Sequence, residues 1–235
     1  MADTLEMRIA LIGYGKMGHI IEQTALQRGH EIAAIIDVAN HDDIDSNAFR
    51  SADVAIEFTT PTTALDNILS AWRQGVPVVC GTTGWDINLL KQEFPQPQQS
   101  LLWSSNFSIG VNIMFALNKR LAELINGANN GGMYTASIEE IHHIHKLDAP
   151  SGTAKTLAQE IERQSGIMPP IESIREGEVS GIHTVTYDSD VDTITLRHEA
   201  KSRAGFAIGA VIAAEWIARQ PAGYYGFENL MKGER

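Results

Sequence analysis

The sequence feature that most constrains the fold is a glycine-rich loop near the start of the chain. It reads Gly13-Tyr14-Gly15-Lys16-Met17-Gly18 and directly follows a short apolar run at residues 8–12. Residues 19–28, after the loop, have the apolar spacing of an amphipathic helix. A strand that turns through glycines straight into a helix begins a strand–helix–strand unit in which the backbone can approach a ligand closely.

An acidic residue supports this interpretation. Asp37 ends a second apolar run, 19 residues beyond Gly18, where dinucleotide-binding folds place the acid that binds a ribose hydroxyl. The diphosphate would lie at the helix N-terminus, where backbone N–H groups and the helix dipole favour an anion. No arginine follows Asp37 to meet a 2′-phosphate, so the sequence favours NADH, with NADPH as the second candidate. The alternative is a tight turn and a solvated Asp at a strand end.

The following residues continue the alternation of strands and helices. Strands are predicted at 31–37, 52–58, 76–80 and 101–104, and helices at 62–72 and 86–93. The strands are apolar nearly throughout, which is typical of a parallel sheet covered on both faces. The sequence therefore predicts an α/β fold with a Rossmann-type doubly wound parallel sheet. Two loops at strand ends, Phe58-Thr59 and Gly81-Thr82-Thr83, lie where such sheets bind ligands, although ordinary turns have the same composition.

The pattern changes near Gly110. A long helix is predicted at 111–125, followed by a Gly/Asn-rich turn at 126–132, strands at 136–145, 182–187 and 192–198, and a helix at 153–163. The last strand alternates apolar and polar residues, which is typical of a half-buried sheet. These elements indicate a second α+β domain that contains a mixed or antiparallel sheet.

The domain boundaries follow from this change. The first domain is predicted to span residues 1–108 and the second 109–203. A helix at 206–217 is apolar on all sides and needs cover, so we expect residues 204–235 to complete the first domain.

The charge balance excludes several classes of partner. The chain has 29 acidic residues against 18 Lys and Arg, and its net charge of −11 repels nucleic-acid phosphates and anionic membranes. No apolar run is long enough to span a membrane, and residues 1–7 lack the features of a signal peptide. The single cysteine, Cys80, cannot pair within the chain and is interpreted as a buried small side chain. We therefore expect a protein of the reducing cytoplasm.

The densest chemistry lies in residues 140–154. This stretch holds three of the chain's eight histidines beside Lys146 and the start of a predicted helix. Ser151 or Thr153 would cap that helix, and Gly152 would admit close approach by a ligand. Helix N–H groups beside Lys146 and His143 would form an anion site that suits a carboxylate.

Strand alternation would divide these side chains between two faces. His142, Ile144 and Lys146 would lie on one face, with His143 and His145 on the other. A straight strand separates His142 from Lys146 by roughly 13 Å, so they would flank a small substrate unless the chain bends at Leu147. A histidine can donate or accept a proton near neutrality, and a lysine can donate one.

Two other interpretations of the histidines remain open. A metal site would use His143 and His145, but Lys146 would repel a cation and no carboxylate has an obvious ligand geometry, so we expect no metal. A purely structural histidine strand would have to bury several polar groups, which is costly for a core.

Taken together, these motifs resemble the 4-hydroxy-tetrahydrodipicolinate reductase family, formerly called dihydrodipicolinate reductase. The family signature, Glu-x-His-His-x-His-Lys-x-Asp-Ala-Pro-Ser-Gly-Thr-Ala, is matched at every fixed position from Glu140 to Ala154. A Gly-Thr-Thr loop is matched at residues 81–83 and an Asn-Phe-Ser-x-Gly-Val-Asn segment at 106–112. Arg203 matches a late arginine before an apolar helix.

The resemblance implies an enzyme that reduces 4-hydroxy-tetrahydrodipicolinate with loss of water and hydride transfer from NAD(P)H, on the diaminopimelate route to lysine. It implies that His142 donates or accepts a proton at the substrate ring, with Lys146 as the second donor. The residues that would hold the small dicarboxylate substrate are His143, Ser151, Gly152, Thr153 and Arg203. Those that would line the dinucleotide are Ile12, Gly13, Tyr14, Gly15, Lys16, Met17, Asp37, Phe58, Thr59, Gly81, Thr82, Thr83, Ser104, Ser105, Asn106 and Phe107. Family members are homotetramers assembled through the second domain, and hinge closure brings cofactor to substrate.

The chain also departs from the family pattern. Ile12 stands where the glycine loop often begins, and Thr60 and Ile144 stand where many relatives have arginine. Fewer positive groups near the adenosine add to the preference for NADH. Two other functions fit the same plan: a different small-molecule dehydrogenase, or a non-catalytic dinucleotide-sensing protein that would not need His142 and Lys146.

Overall fold

The structure is a computed structural model that describes residues 6–128 and 133–233. Its elements, in chain order, are β1 (Arg8–Ile12), α1 (Lys16–Gln27), β2 (Glu31–Ile36), a 3-10 segment (Val38–Asp45), α2 (Asn47–Arg50), β3 (Val54–Glu57), α3 (Ala64–Arg73), β4 (Val78–Cys80), α4 (Ile87–Glu93), β5 (Leu101–Trp103), α5 (Ile109–Ala128), β6 (Thr135–His142), α6 (Gly152–Ser165), β7 (Ile171–Arg175), β8 (Ile182–Asp188), β9 (Thr193–Glu199), α7 (Ala204–Ile217), β10 (Tyr224–Tyr225) and α8 (Phe227–Met231). The predicted turn at 126–132 and the polar segment at 1–7 lie in part outside the described residues.

The first of two compact units comprises residues 1–108 and 206–235. Its sheet has six strands in the order β10-β5-β4-β3-β1-β2, and every pair is parallel. Strands β3 and β4 are buried along their whole length, as expected for a sheet covered on both faces. Strand β2 lies on one side of β1 and β3 on the other, so the strand order reverses at β1. Open α/β sheets bind ligands at such a reversal. The predicted α/β fold with a doubly wound parallel sheet is confirmed.

Helix α7 belongs to this first unit from residue 206 onwards and buries most of its small and apolar residues, although Ile208 is exposed. A Cβ atom on Gly209 would lie 1.7 Å from the carbonyl oxygen of Phe107, so the helix packs too closely for any other residue there. Glu215 on the same helix accepts hydrogen bonds from the Arg28 guanidinium at 2.7 and 2.8 Å. Apolar packing and this ion pair together fix the helix to the N-terminal elements.

The second unit comprises residues 109–205 and contains a four-stranded sheet in the order β7-β6-β8-β9. The β6–β7 pair is parallel and the other two pairs are antiparallel, so the predicted mixed sheet is confirmed. Helices α5 and α6 pack on this sheet around a buried cluster that includes Met114, Leu157, Ile161 and Val185.

Several elements differ from the sequence predictions, among them the 3-10 segment, α2 and α8, which were not predicted. Strand β6 ends at His142 rather than at residue 145, because the Lys146 N–H donates to the His143 carbonyl at 3.1 Å and closes a turn. Strands β7 and β10, which pair with β6 and β5, were not predicted. The residues of β7 form neither an apolar run nor a regular alternation, and β10 has only two residues. Within the described ranges, no helix combines the length and apolar character needed to cross a membrane.

Candidate active site

The three glycines of the loop have three different physical roles. Gly13 has a φ of +91°, and a Cβ there would lie 2.2 Å from the carbonyl oxygen of Phe58. A Cβ on Gly18 would lie 2.5 Å from the carbonyl oxygen of Gly13, so α1 packs directly against the loop. Gly15 precedes α1 as its N-cap and faces open space. The loop therefore leaves room for a ligand at the N-terminus of α1.

A cavity of 260 Å³ opens where this loop meets the ends of β2 and β3. Six of its lining residues are predicted cofactor residues: Ile12, Gly13, Gly15, Asp37, Phe58 and Thr59. The other lining residues are Ile36, Val38, His41, Thr60, Thr63 and Asn67. His41, Thr63 and Asn67 were missed because they belong to no motif, and only the path of the 3-10 segment and the start of α3 brings them here.

Asp37 is exposed at the rim of this cavity. One of its carboxylate oxygens accepts the Val38 N–H at 2.9 Å, and its own N–H donates to the Asn40 side chain at 2.8 Å. His41, the other ionisable residue of the lining, lies 3.2 Å from the Asn67 amide oxygen through Nε2. The lining of this cavity contains no lysine or arginine.

A buried carboxylate that the sequence analysis missed lies beneath the two neighbouring loops. Glu57, at the end of β3, is fully buried and accepts hydrogen bonds from the hydroxyls of Thr59 and Thr82 and from the thiol of Cys80, whose sulfur is 2.9 Å away. The Asn67 amide nitrogen lies 3.5 Å away. In the described residues Glu57 forms no ion pair. Burial, together with this negative charge, raises the pKa of Cys80, so the thiol stays protonated.

The remaining predicted cofactor residues lie outside the cavity lining. These ten are Tyr14, Lys16, Met17, Gly81, Thr82, Thr83, Ser104, Ser105, Asn106 and Phe107. Two of them, Thr82 and Phe107, have structural roles. The Thr82 hydroxyl is buried and accepts the Thr59 N–H at 2.8 Å, which ties the two loops together. The Phe107 ring is buried between the rings of Phe58 and Phe227. Direct contact between these two side chains and a cofactor is therefore not supported.

In the second unit, residues 140–154 form a strand end, a turn and a helix start. The premise that His142 and Lys146 lie along one straight strand is wrong, because the turn at residues 143–146 interrupts it. The turn brings Lys146 within electrostatic reach of His142, whose pKa it lowers. The chain thus bends earlier than Leu147, and the two predicted catalytic groups belong to one cluster.

Glu140 lies at the centre of this cluster and is fully buried. Its Oε1 accepts the Ser151 N–H at 3.0 Å and a guanidinium N–H of Arg175 at 3.1 Å. Its Oε2 lies 2.8 Å from Nδ1 of His142, although the ring is not aligned for a regular hydrogen bond. Burial opposes ionisation of Glu140, but Ser151, Ser173 and the Arg175 guanidinium outweigh it and lower its pKa to about 2. The site therefore contains a buried negative charge.

The imidazole of His142 is almost buried, and its surroundings favour the neutral form. Burial lowers its pKa, Glu140 acts in the opposite direction, and Lys146 and Arg175 lower it further. The ring of His183 packs edge-on at 5.0 Å, and burial together with His142 lowers the pKa of His183 to about 4. A Cβ on Gly181 would lie 3.1 Å from Nε2 of His142, so glycine leaves room beside that nitrogen.

Lys146 and the predicted substrate residues surround this centre. The Lys146 ammonium donates to Asp148 at 2.7 Å, and its side chain remains partly exposed. Gly152 begins α6 and faces open space, Thr153 follows it, and His143 is half-buried in the turn. Arg203 is exposed just before α7 and forms no ion pair within the described part of the chain.

Ser151 has a structural role that differs from the predicted substrate contact. It is buried, its hydroxyl accepts the Ala154 N–H at 3.2 Å as the N-cap of α6, and it lies 3.1 Å from Nε2 of His183. Its N–H is bonded to Glu140. Because these polar groups are already engaged, direct contact between the Ser151 side chain and a substrate is not supported.

The cluster also has the composition of a metal site. One donor atom each from Glu140, His142 and His183 lie within 4.8 Å of one another, a different set from the His143 and His145 pair weighed in the sequence. The Arg175 guanidinium already neutralises Glu140, and Lys146 adds a second positive charge nearby. These cations would oppose a metal ion, so the donor set does not favour one.

Comparison with known proteins gives a consistent result over both units. Residues 7–107 match the family described as dihydrodipicolinate reductase, N-terminus, and residues 110–231 match dihydrodipicolinate reductase, C-terminus.

Relatives and solved structures point to the same family. A 4-hydroxy-tetrahydrodipicolinate reductase of Christiangramia forsetii is 44% identical, covering 96% of this chain and 98% of the relative. A protein of the same name from Methanopyrus kandleri is 38% identical, covering 80% of this chain and 74% of the relative. A dipicolinate-bound dihydrodipicolinate reductase from Paenisporosarcina sp. TG-14 shares the fold, with a TM-score of 0.81 at 23% identity over 96% of this chain and 100% of that chain. The chain therefore belongs to the dihydrodipicolinate reductase family.

Proposed function

We propose that the chain catalyses the NAD(P)H-dependent reduction of 4-hydroxy-tetrahydrodipicolinate to tetrahydrodipicolinate, with loss of water, on the diaminopimelate route to lysine. The observation that carries the proposal is the cluster of His142, Lys146 and Glu140 beside the N-terminus of α6. It combines proton-transfer groups with an anion-binding helix end. The substrate assignment is supported by relatives of that name that match most of the chain.

The first unit has the features required to hold the dinucleotide. Gly15 leaves open space at the N-terminus of α1 for a diphosphate, and the exposed carboxylate of Asp37 would accept ribose hydroxyls. The bound cofactor supplies the hydride. NADH is the preferred form, because Asp37 would repel a 2′-phosphate and the cavity lining offers no lysine or arginine to bind one.

The second unit would hold a carboxylate of the substrate. The open space around Gly152 lets a carboxylate approach the first turn of α6, where the helix dipole favours an anion. Lys146 adds positive charge close to this end of the helix. His143, Thr153 and Arg203 would complete the substrate contacts, as expected from the sequence.

The reaction takes up one proton overall, because a hydride is added and a hydroxyl leaves as water. Lys146 carries a proton at an ammonium that is partly exposed, and His142 offers an imidazole that can pass one on. Asp148 holds the lysine in the turn, so the donor is oriented before substrate binds. We assign His142 to proton transfer at the ring and Lys146 to the second donation.

The proposal is tested by adding NADH and freshly generated 4-hydroxy-tetrahydrodipicolinate to the purified protein and following oxidation of the nicotinamide. Substrate-dependent oxidation is expected, with a slower rate for NADPH. No oxidation above background would contradict the proposal. Oxidation with a different small substrate would indicate another dehydrogenase. NADH binding alone, unchanged in His142→Ala, would indicate a non-catalytic dinucleotide sensor.

We further infer a cytoplasmic homotetramer with no nucleic-acid or membrane partner. One face of the second sheet carries polar, partly exposed residues, among them Ser137, Glu139, Thr184 and Thr186, and is available for pairing between copies. Sedimentation equilibrium at micromolar concentration is expected to give four chains per particle, and a monomer would contradict this inference.

A further inference from the structure

We propose that Glu140 is a positioning residue for the reaction: one carboxylate oxygen fixes the N-terminus of α6, and the other fixes the imidazole of His142. This inference rests on the proposed function. It assigns a role to a fully buried carboxylate to which the proton-transfer scheme gives none.

The Oε1 atom anchors the helix end. It accepts the Ser151 N–H at 3.0 Å, and Ser151 is the N-cap of α6. The Ser151 hydroxyl in turn accepts the Ala154 N–H and contacts His183, and these contacts hold the first turn of α6 in place. The position of Gly152, where the substrate carboxylate would bind, is therefore set by a bond to Glu140.

The Oε2 atom faces the reacting imidazole. It lies 2.8 Å from Nδ1 of His142, and both groups belong to β6, two residues apart on one face of the sheet. The ring is not aligned for a regular hydrogen bond, so Glu140 acts on it through its charge. A negative charge beside Nδ1 favours the tautomer that carries its hydrogen there and leaves Nε2 to exchange protons. Edge-on packing by His183 limits rotation of the ring.

Glu140 acts here as a charge as well as an anchor. The ionisable groups that face His142 are Glu140 on β6, Lys146 and Asp148 in the turn, Arg175 on β7 and His183 on β8. The two carboxylates raise the pKa of His142, whereas Lys146 and Arg175 lower it. Removing the charge of Glu140 should therefore lower the pKa of His142, and removing the charge of Arg175 should raise it.

The test compares Glu140→Gln with Arg175→Gln by NMR titration of the His142 ring without substrate, its signal assigned from its loss in His142→Ala. Glu140→Gln is expected to lower the pKa of His142 and Arg175→Gln to raise it. The limb of the pH profile of kcat that reports the titration of His142 should shift in the same direction as its pKa in each variant. The titration needs no turnover, so it distinguishes failure of this inference from failure of the proposed function.

Steady-state kinetics separate the two tasks of the carboxylate. The amide of Glu140→Gln still accepts the Ser151 N–H, so kcat should fall about tenfold or more while KM stays within about threefold. Glu140→Ala loses the acceptor too, and its KM should rise as well. Glu162→Gln makes the same chemical change at an exposed position of α6 and should leave the His142 titration unchanged.

Three outcomes would overturn the inference. The first is a shift of the His142 pKa in the same direction in Glu140→Gln and Arg175→Gln, and the second is the absence of any shift. The third is a rise of KM in Glu140→Gln that is as large as the fall of kcat, which would indicate a merely structural residue. If the Glu140 variants do not fold, Arg175→Gln decides alone, and an unshifted or lowered His142 pKa in it counts against the proposal.

Discussion

Among the described residues, each unit buries one carboxylate in the last part of a strand, and the two are held in different ways. Glu57 is surrounded by neutral donors: two threonine hydroxyls, an amide and a thiol. Glu140 has a charged partner, the Arg175 guanidinium, which shares Oε1 with the Ser151 N–H, and His142 lies against Oε2. Both are fully buried, so the difference lies in the partners and not in exposure.

This difference matches what each unit would bind. Neutral donors fix the loops of Thr59 and Thr82 without placing a fixed cation beneath the dinucleotide crevice. Charged partners around Glu140 set the protonation of the groups that exchange protons. One carboxylate therefore supports backbone geometry, and the other also supports chemistry.

The largest expected effect is at His142, which lies against Glu140 and has no counterpart among the partners of Glu57. His142→Ala should lower kcat by about a hundredfold or more, because a positioned proton-transfer group typically contributes that much. His145→Ala is the matched control, since that ring is exposed in the same turn and forms an ion pair with Glu178. Steady-state rates of NADH oxidation measure both. Equal rates in the two variants would remove His142 from the mechanism.

A second experiment compares the two carboxylates by stability. Glu140→Gln leaves the Arg175 charge without its partner and should cost about 3 kcal/mol of unfolding free energy, at the lower end for buried pairs because Arg175 is partly exposed. Glu57→Gln replaces charged by neutral hydrogen bonds and should cost about 1–2 kcal/mol. Urea denaturation provides the measurement. A larger loss of unfolding free energy in Glu57→Gln than in Glu140→Gln would contradict this expectation.

Acid stability sharpens the contrast further. The pKa of Glu140 is lowered to about 2 from 4.5, so its stabilising contribution is complete above pH 4.5 and is lost as the pH falls through 2. The decrease in melting temperature over that window should therefore be smaller in Glu140→Gln than in the wild type. Glu162→Gln, at an exposed position of α6, serves as the control. Parallel acid curves for Glu140→Gln and the wild type would contradict the assigned charge.

The smallest expected effect concerns a third carboxylate, which is exposed. Asp37→Asn keeps an acceptor for the Val38 N–H but removes the charge, and should narrow the preference for NADH over NADPH by about fivefold, or about 1 kcal/mol. Asp86→Asn changes another helix-capping aspartate outside the cavity lining and is the matched control. An unchanged ratio of kcat/KM in Asp37→Asn would show that its charge does not select the cofactor.

Much of the candidate site could be predicted because its residues lie in continuous motifs. The loop of Gly13, Gly15 and Gly18 and the stretch from Glu140 to Ala154 are local patterns, and both occupy the expected strand and helix ends. Burial is not part of these local patterns, so the sequence did not show which of the predicted ligand residues have buried side chains. Ser151, Thr82 and Phe107 were assigned ligand contacts, yet each is buried.

The sequence by itself determined where strands, helices and glycine turns form, because backbone preferences and apolar periodicity are properties of neighbouring residues. It also determined the set of reactive side chains near Lys146. Only the tertiary structure placed Arg175, from an unpredicted strand, and His183 against Glu140, which lies 35 and 43 residues away from them in the chain. Desolvation and Coulomb interactions depend on distance in space and not on separation in sequence, so the charge state of the cluster is decided by the fold.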